Sequence, residues 1–160
     1  MNDSWHQSFY DTAKVWAKRS TCIRRRYGSV IVDPITKHVV STGYAGAPTA
    51  KSHCTDDEWC IRELLNIPQG KQYELCRSTH SEVNAILNAE RSVKGCILYL
   101  YGEDVKTNHP IIAKPCFLCC KTLINAGITK VITKLHNNFI EIDMNDLYDT
   151  YLKELAQEYL

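Results

Sequence analysis

The chain has 160 residues, 44% hydrophobic and 23% charged, with a formal net charge of +1 at pH 7. That is one domain's worth of chain, long enough to bury a sizeable core, and its near-neutral balance argues against a bulk nucleic-acid or membrane-surface binder. It has no run of about 18 apolar residues and no basic-then-apolar leader in Met1-Asn2-Asp3-Ser4-Trp5, so the expectation is a cytoplasmic protein without a membrane span.

In chain order, Ser4 with Gln7 reads as a capping box opening a first helix, with Phe9, Ala13, Trp16 and Ala17 on one face. Residues 27–32 read as a strand and 33–37 as a turn, and 38–43 return as a second strand. From Tyr44 to Ser78 the pattern dissolves, with a short helix expected only over 58–65. So long a loop inside a compact domain calls for something to tie it down, and Cys54, Cys60 and Cys76 lie within it. A helix follows from His80 to about Arg91, with Val83, Ile86 and Leu87 inward, then a strand over 96–101 and a polar loop over 102–114. Residues 116–126 read as a helix closed by Gly127 at its C-cap, residues 128–133 as a strand, and the last helix starts near Met144. The order predicts one α/β domain over 1–160, with 44–78 as an inserted region and some strands paired in parallel.

The residues that carry chemistry are His80-Ser81-Glu82 and Pro115-Cys116-Phe117-Leu118-Cys119. Eight cysteines in a chain with no export signal point to metal binding rather than disulfides. Catalytic zinc takes three nitrogen or sulfur ligands and keeps one position open. His80, Cys116 and Cys119 can supply the three, each half opening a helix, where partial positive charge favours a thiolate. Glu82, unligated, is then placed to move protons. A closed structural site would need a fourth ligand. Cys120 is adjacent, but its position next to Cys119 turns it away, and it is expected to pack as a small apolar residue. Taken together, the H-x-E and P-C-x-x-C halves match the zinc deaminase signature.

Around these motifs the chain resembles the cytidine deaminase superfamily, and within it the deoxycytidylate (dCMP) deaminases. The likeness extends over about Trp5 to Thr133 and includes residues 20–32, 41–48, Leu75-Cys76-Arg77 and Asn125-Ala126-Gly127-Ile128. It implies a three-layer sandwich, a mixed five-stranded sheet flanked by helices. It also implies homo-oligomers, dimeric or hexameric, and hydrolysis of dCMP to dUMP and ammonia under dCTP and dTTP control, in the supply of deoxypyrimidine nucleotides. By the same resemblance Glu82 shuttles a proton to N3 and to the departing amine, and backbone around Ser29 and Ser81 reads the cytosine edge. Arg24, Arg25 and Arg26 become candidates for the 5′-phosphate or an effector, since arginine pairs bidentately with phosphate; a solvated basic face is the plainer reading. Tyr44 stands in the nucleotide-binding loop, and Asn84 could reach a sugar or phosphate oxygen or simply cap and pack. The family's Gly-Tyr-Asn-Gly loop is Gly43-Tyr44-Ala45-Gly46 here, and its His-Ala-Glu is His80-Ser81-Glu82. Rival readings are a deaminase of another cytosine nucleotide, a free base or an RNA base, and a catalytically silent zinc-binding sensor.

Cys22, Cys54, Cys60 and Cys76 offer four soft ligands in one region, matching a second, structural zinc, with His53 as the alternative to Cys22. Free buried thiols are the other reading. Cys96 is expected to be core.

Overall fold

The computed structural model describes residues 1–160. Helix α1 (Asp3–Ala17) is followed by strands β1 (Arg25–Val32) and β2 (Val39–Tyr44), then two single-turn helices, α2 (Cys54–Asp57) and α3 (Ile61–Leu64). After them come α4 (Ser81–Leu87), β3 (Ile97–Asp104), β4 (Pro110–Ile111), α5 (Phe117–Ala126), β5 (Lys130–Leu135), β6 (Asn138–Asp143) and α6 (Met144–Tyr159). The sheet order is β2-β1-β3-β5-β6, with the two-residue β4 added beside β3. The β3–β5 pairing is parallel and every other pairing antiparallel, so the sheet is mixed.

Strand alternation divides the core in two. Val30, Val32, Tyr99 and Tyr101 face α1, where they meet Phe9, Tyr10, Ala13 and Ala17. Ile31, Leu98, Leu100 and Val131 face the other way, onto Ala85 of α4, Cys120 and Leu123 of α5, and Met144 and Leu147 of α6. Helices on both faces make the three layers. Cys96 lies in the second cluster, as expected. No helix is long and apolar enough to cross a membrane.

Several local expectations need correcting. Asn2, not Ser4, caps α1, its side chain accepting from Trp5 N at 3.2 Å. α4 stops at Leu87, which is 72% exposed rather than inward: the helix buries Ser81, Glu82 and Ala85, and Leu87 lies two residues, about 200° of helix rotation, past Ala85. Of the expected 58–65 helix only the single turn α3 forms; α2 lies ahead of it and ends where Glu58 adopts the left-handed conformation (φ 60°). The 102–114 loop contains β4, and β3 runs on to Asp104. Gly127 caps α5 in the left-handed region (φ 83°), as the sequence indicates.

Candidate metal centre and active-site cleft

His80 and Cys116 occupy equivalent places. Each is the N-cap residue of its helix, with extended backbone and a side chain that makes no capping bond. Ser, Thr, Asp or Asn usually fills that position and caps the first N–H groups. Here both side chains turn toward each other instead. Cys116 Sγ lies 3.4 Å and Cys119 Sγ 3.3 Å from His80 Nδ1. The three donor atoms lie within 4.8 Å of one another, the one such group of histidine, cysteine and carboxylate side chains in the structure. One imidazole and two thiols, converging at half-buried to buried positions, form a donor set suited to zinc. Cys120 is turned away, its thiol donating to Met144 O at 3.1 Å.

The charges agree with this arrangement. The Cys116 thiol is pushed well below its ordinary range by the hydrogen bond from Cys119, helped by His80. Cys119 is pushed up, because it holds the proton shared with Cys116. At His80, burial pulls the imidazole down, but the Cys116 contact and the Glu82 charge outweigh it and the net shift is upward. Glu82 is 5% exposed and falls outside the donor triangle. Its burial pushes the carboxyl above the usual carboxylate range, with the His80 ring pulling the other way. Ser81 Oγ donates to Glu82 Oε2 at 3.1 Å, and Ser29 Oγ lies 2.7 Å from Ser81 Oγ.

Beside Cys116 opens a cleft of about 570 Å³. Its aromatic walls are Tyr27, Tyr73, Phe117 and Tyr151, and Lys71 and Lys114 bring ammonium groups. Tyr151 donates to Pro115 O at 2.7 Å, so α6 holds the backbone that presents Cys116. The Tyr73 ring stands edge-on to His80, with centroids 5.1 Å apart. Arg62, 4% exposed, backs Tyr73 with its guanidinium 4.4 Å from the ring centroid. The same guanidinium donates to the carbonyls of Lys71 (2.6 Å), Gln72 (2.8 Å) and Pro68 (2.9 Å) and forms no ion pair. A buried cation thus satisfies loop carbonyls that would otherwise be orphaned. Sequence reasoning missed Tyr73, Arg62 and Tyr151. Arg62 and Tyr73 sit in a stretch without periodicity or motif, and Tyr151, on the periodic last helix, meets the site only through the fold.

The arginine run divides. Arg24 and Arg25 line a small cavity of about 90 Å³ that shares Tyr27, Gln69 and Tyr73 with the cleft. Arg24 pairs with Glu63 (3.3 Å), while Arg25 donates to the neutral Gln69 (3.2 Å). Arg26 is away from both, held by Glu103 (2.8 Å) and Asn108 (3.1 Å), because neighbouring strand residues face opposite sides. Tyr44 and Asn84 line a separate pocket with His53. The Asn84 amide is spent on the carbonyls of Tyr44 (2.8 Å) and Thr79 (3.3 Å).

Cys22, Cys54, Cys60 and Cys76 all line the 90 Å³ cavity. No three of their sulfurs come as close together as the His80 group does. His53 is occupied elsewhere, its Nδ1 within hydrogen-bond distance of Thr21 Oγ1 (2.9 Å) and accepting from Ala47 N (3.2 Å).

Residues 3–135 match the family model described as cytidine and deoxycytidylate deaminase zinc-binding region. The chain is 33% identical over 129 residues to a deoxycytidylate deaminase of Schizosaccharomyces pombe, covering 81% of this chain and 36% of that protein. The chain thus spans little more than a third of that relative's length. A deoxycytidylate deaminase of Mycobacterium phage D29 is 31% identical over 134 residues, covering 80% of this chain and 92% of the phage protein. Among solved structures, apo dCMP deaminase from the cyanophage S-TIM5 shares the fold, with a TM-score of 0.60 and 19% identity over 94% of each chain.

Proposed function

The chain belongs to the cytidine and deoxycytidylate deaminase family, and from that premise we propose that it hydrolyses dCMP to dUMP and ammonia as a zinc enzyme, in deoxypyrimidine nucleotide supply. The observation that carries the reading is a buried carboxylate, Glu82, standing just outside a His80–Cys116–Cys119 triangle that borders an aromatic, lysine-bearing cleft. We take residues 1–160 as one deaminase unit, with 44–78 as its insertion. Zinc bound by the triangle supplies the Lewis acidity that makes water a nucleophile near neutral pH. Glu82 takes the proton from the attacking water and delivers it to the cytosine N3, then takes the proton of the hydroxyl added at C4 and passes it to the 4-amino group, which departs as ammonia while that oxygen becomes the carbonyl. Its burial suits a group that must both accept and release a proton. Tyr27, Tyr73 and Phe117 offer faces for the base, and backbone at Ser29 and Ser81 is the candidate for its polar edge. Arg25, with no carboxylate partner, is the best placed of the arginine run for the 5′-phosphate, from the cavity that adjoins the cleft; in the cleft itself Lys114 is the second candidate, since Lys71 is paired with Glu158.

Several wider readings belong to the same proposal. Exposed Leu87 and Leu118 on α4 and α5 support self-association. Control by dCTP or dTTP would have to act through a loop that carries Ala45 in place of the family's asparagine. The protein would work in the cytoplasm.

An ammonia-release screen across dCMP, CMP, dCTP, cytidine, deoxycytidine and cytosine tests the substrate. The cyanophage relative has been solved with dCMP and dUMP bound. The expected result is a kcat/KM for dCMP at least about tenfold above that for deoxycytidine, the scale of one charge-assisted phosphate contact. A preference for an unphosphorylated substrate overturns the assignment.

We also propose a second, structural zinc on Cys22, Cys54, Cys60 and Cys76. The four thiols share one cavity, Arg24 N donates to Cys22 Sγ at 3.4 Å, and the buried Ser78 Oγ in the same cavity has no partner. Metal analysis should find a second equivalent of zinc that survives Cys116→Ser and is lost in a Cys54→Ser/Cys60→Ser variant. One equivalent in the wild type discards it.

A further inference from the structure

A pair of buried serines beneath Glu82 is more than a zinc-and-carboxylate site requires. Ser29 lies in mid-β1 and Ser81 is the first residue of α4, and neither has any solvent exposure. Their hydroxyl oxygens are 2.7 Å apart, and Ser81 Oγ donates to Glu82 Oε2 at 3.1 Å. Neither hydroxyl has any other partner. A hydroxyl has one proton, and a carboxylate can only accept. While Glu82 is ionised, Ser81 therefore spends its proton on Oε2, and the 2.7 Å contact is made by Ser29 donating to Ser81. The chain of three groups has one direction, ending on the carboxylate. A fully buried hydroxyl costs stability unless it is bonded, so alanine at both positions would serve a packed core as well. What the pair adds is a fixed orientation for Glu82.

We propose that Ser81 and Ser29 are positioning residues for Glu82. Ser81 holds the carboxylate by Oε2 and leaves Oε1 free to face the reacting atoms, and Ser29 holds Ser81. The inference rests on the reading of Glu82 as the proton carrier.

The test is a double-mutant cycle of Ser81→Ala, Ser29→Ala and the double variant, each measured for kcat, KM on dCMP and thermal midpoint. Ser81→Ala should lower kcat on the order of tenfold, the scale of one hydrogen bond to a charged group, with KM within about twofold. It should also lower the midpoint, because the Ser29 hydroxyl is left buried without a partner. Ser29→Ala should lower kcat less, about threefold, since Ser81 still reaches Glu82. The double variant distinguishes positioning from packing: no hydroxyl is orphaned, so its midpoint should recover toward wild type, while kcat stays at the Ser81→Ala level. If kcat recovers along with the midpoint, or never falls in Ser81→Ala, the serines only fill space and the inference fails. A Glu82→Gln control separates the two ideas. Retained turnover there defeats the role of Glu82, whereas an inactive control with a flat serine cycle defeats the positioning role alone.

Discussion

Glu82→Gln should lower dCMP turnover by about a thousandfold or more while leaving the zinc content and the thermal midpoint near wild-type values. Acid–base catalysis by a positioned side chain contributes roughly 10²–10⁴-fold, and a group that serves both the attack and the departure belongs toward the upper end. Glutamine matches glutamate in size and can still accept from Ser81, so the buried site should keep its packing. It cannot take a proton from water and hand it on. Because Glu82 lies outside the donor triangle, its loss should not release the metal. Turnover within tenfold of wild type would sink the mechanism, and loss of zinc would show the carboxylate to be a ligand after all.

The second large effect is expected at a residue with no chemistry of its own. A Cβ on Gly43 would sit 2.3 Å from Ser81 O and 2.4 Å from Ala85 N. Strand β2 thus lets the backbone of α4 rest directly on the sheet, which only glycine permits. Gly43→Ala must lift the helix that carries His80 and Glu82. The expected cost is about 3 kcal/mol or more in denaturant unfolding, the upper end for overpacking, together with weaker zinc retention. Gly28 is the matched control on the opposite face, where a Cβ would sit 2.1 Å from Ala13 O of α1. Gly28→Ala should cost similar stability but leave zinc affinity in the folded fraction unchanged. Equal zinc loss in both variants would mean that Gly43 has no special relation to the site.

The sequence exposed the centre of this site more clearly than its walls. His80, Cys116, Cys119 and Glu82 announce themselves because zinc chemistry tolerates few residue types at few spacings. The α/β class was legible from the order of strands and helices and from the stop signal at Gly127, while the flanked sheet was an implication of the family resemblance. Arg26 could have been set apart from Arg25 had the strand been started at Arg25 rather than Tyr27, since alternation then forces the two to opposite faces. Leu87 was misjudged because the inward face was set on Val83, Ile86 and Leu87, whereas the polar Ser81 and Glu82 share the buried face with Ala85. β4 is two residues long and leaves no pattern to read. Tyr151 was hidden because its partner, Pro115 O, is 36 residues away, whereas Arg62 and Tyr73 act on near neighbours but lie in a stretch with no helical or strand periodicity to place them.

The Arg62 guanidinium has a bearing on the order in which the molecule assembles. Its three carbonyl partners are only 6, 9 and 10 residues away along the chain. The proposed zinc ligands of the two halves are 36 and 39 residues apart. Loops of about ten residues close in roughly 10–100 ns, long before distant strands find their register. The Tyr73 wall can therefore form as a small local unit while β3 and β5 are still unpaired. Completion of the sheet then delivers Cys116 and Cys119 to a histidine whose flank is already built. Folding would make the pocket's rim early and its metal-binding centre late.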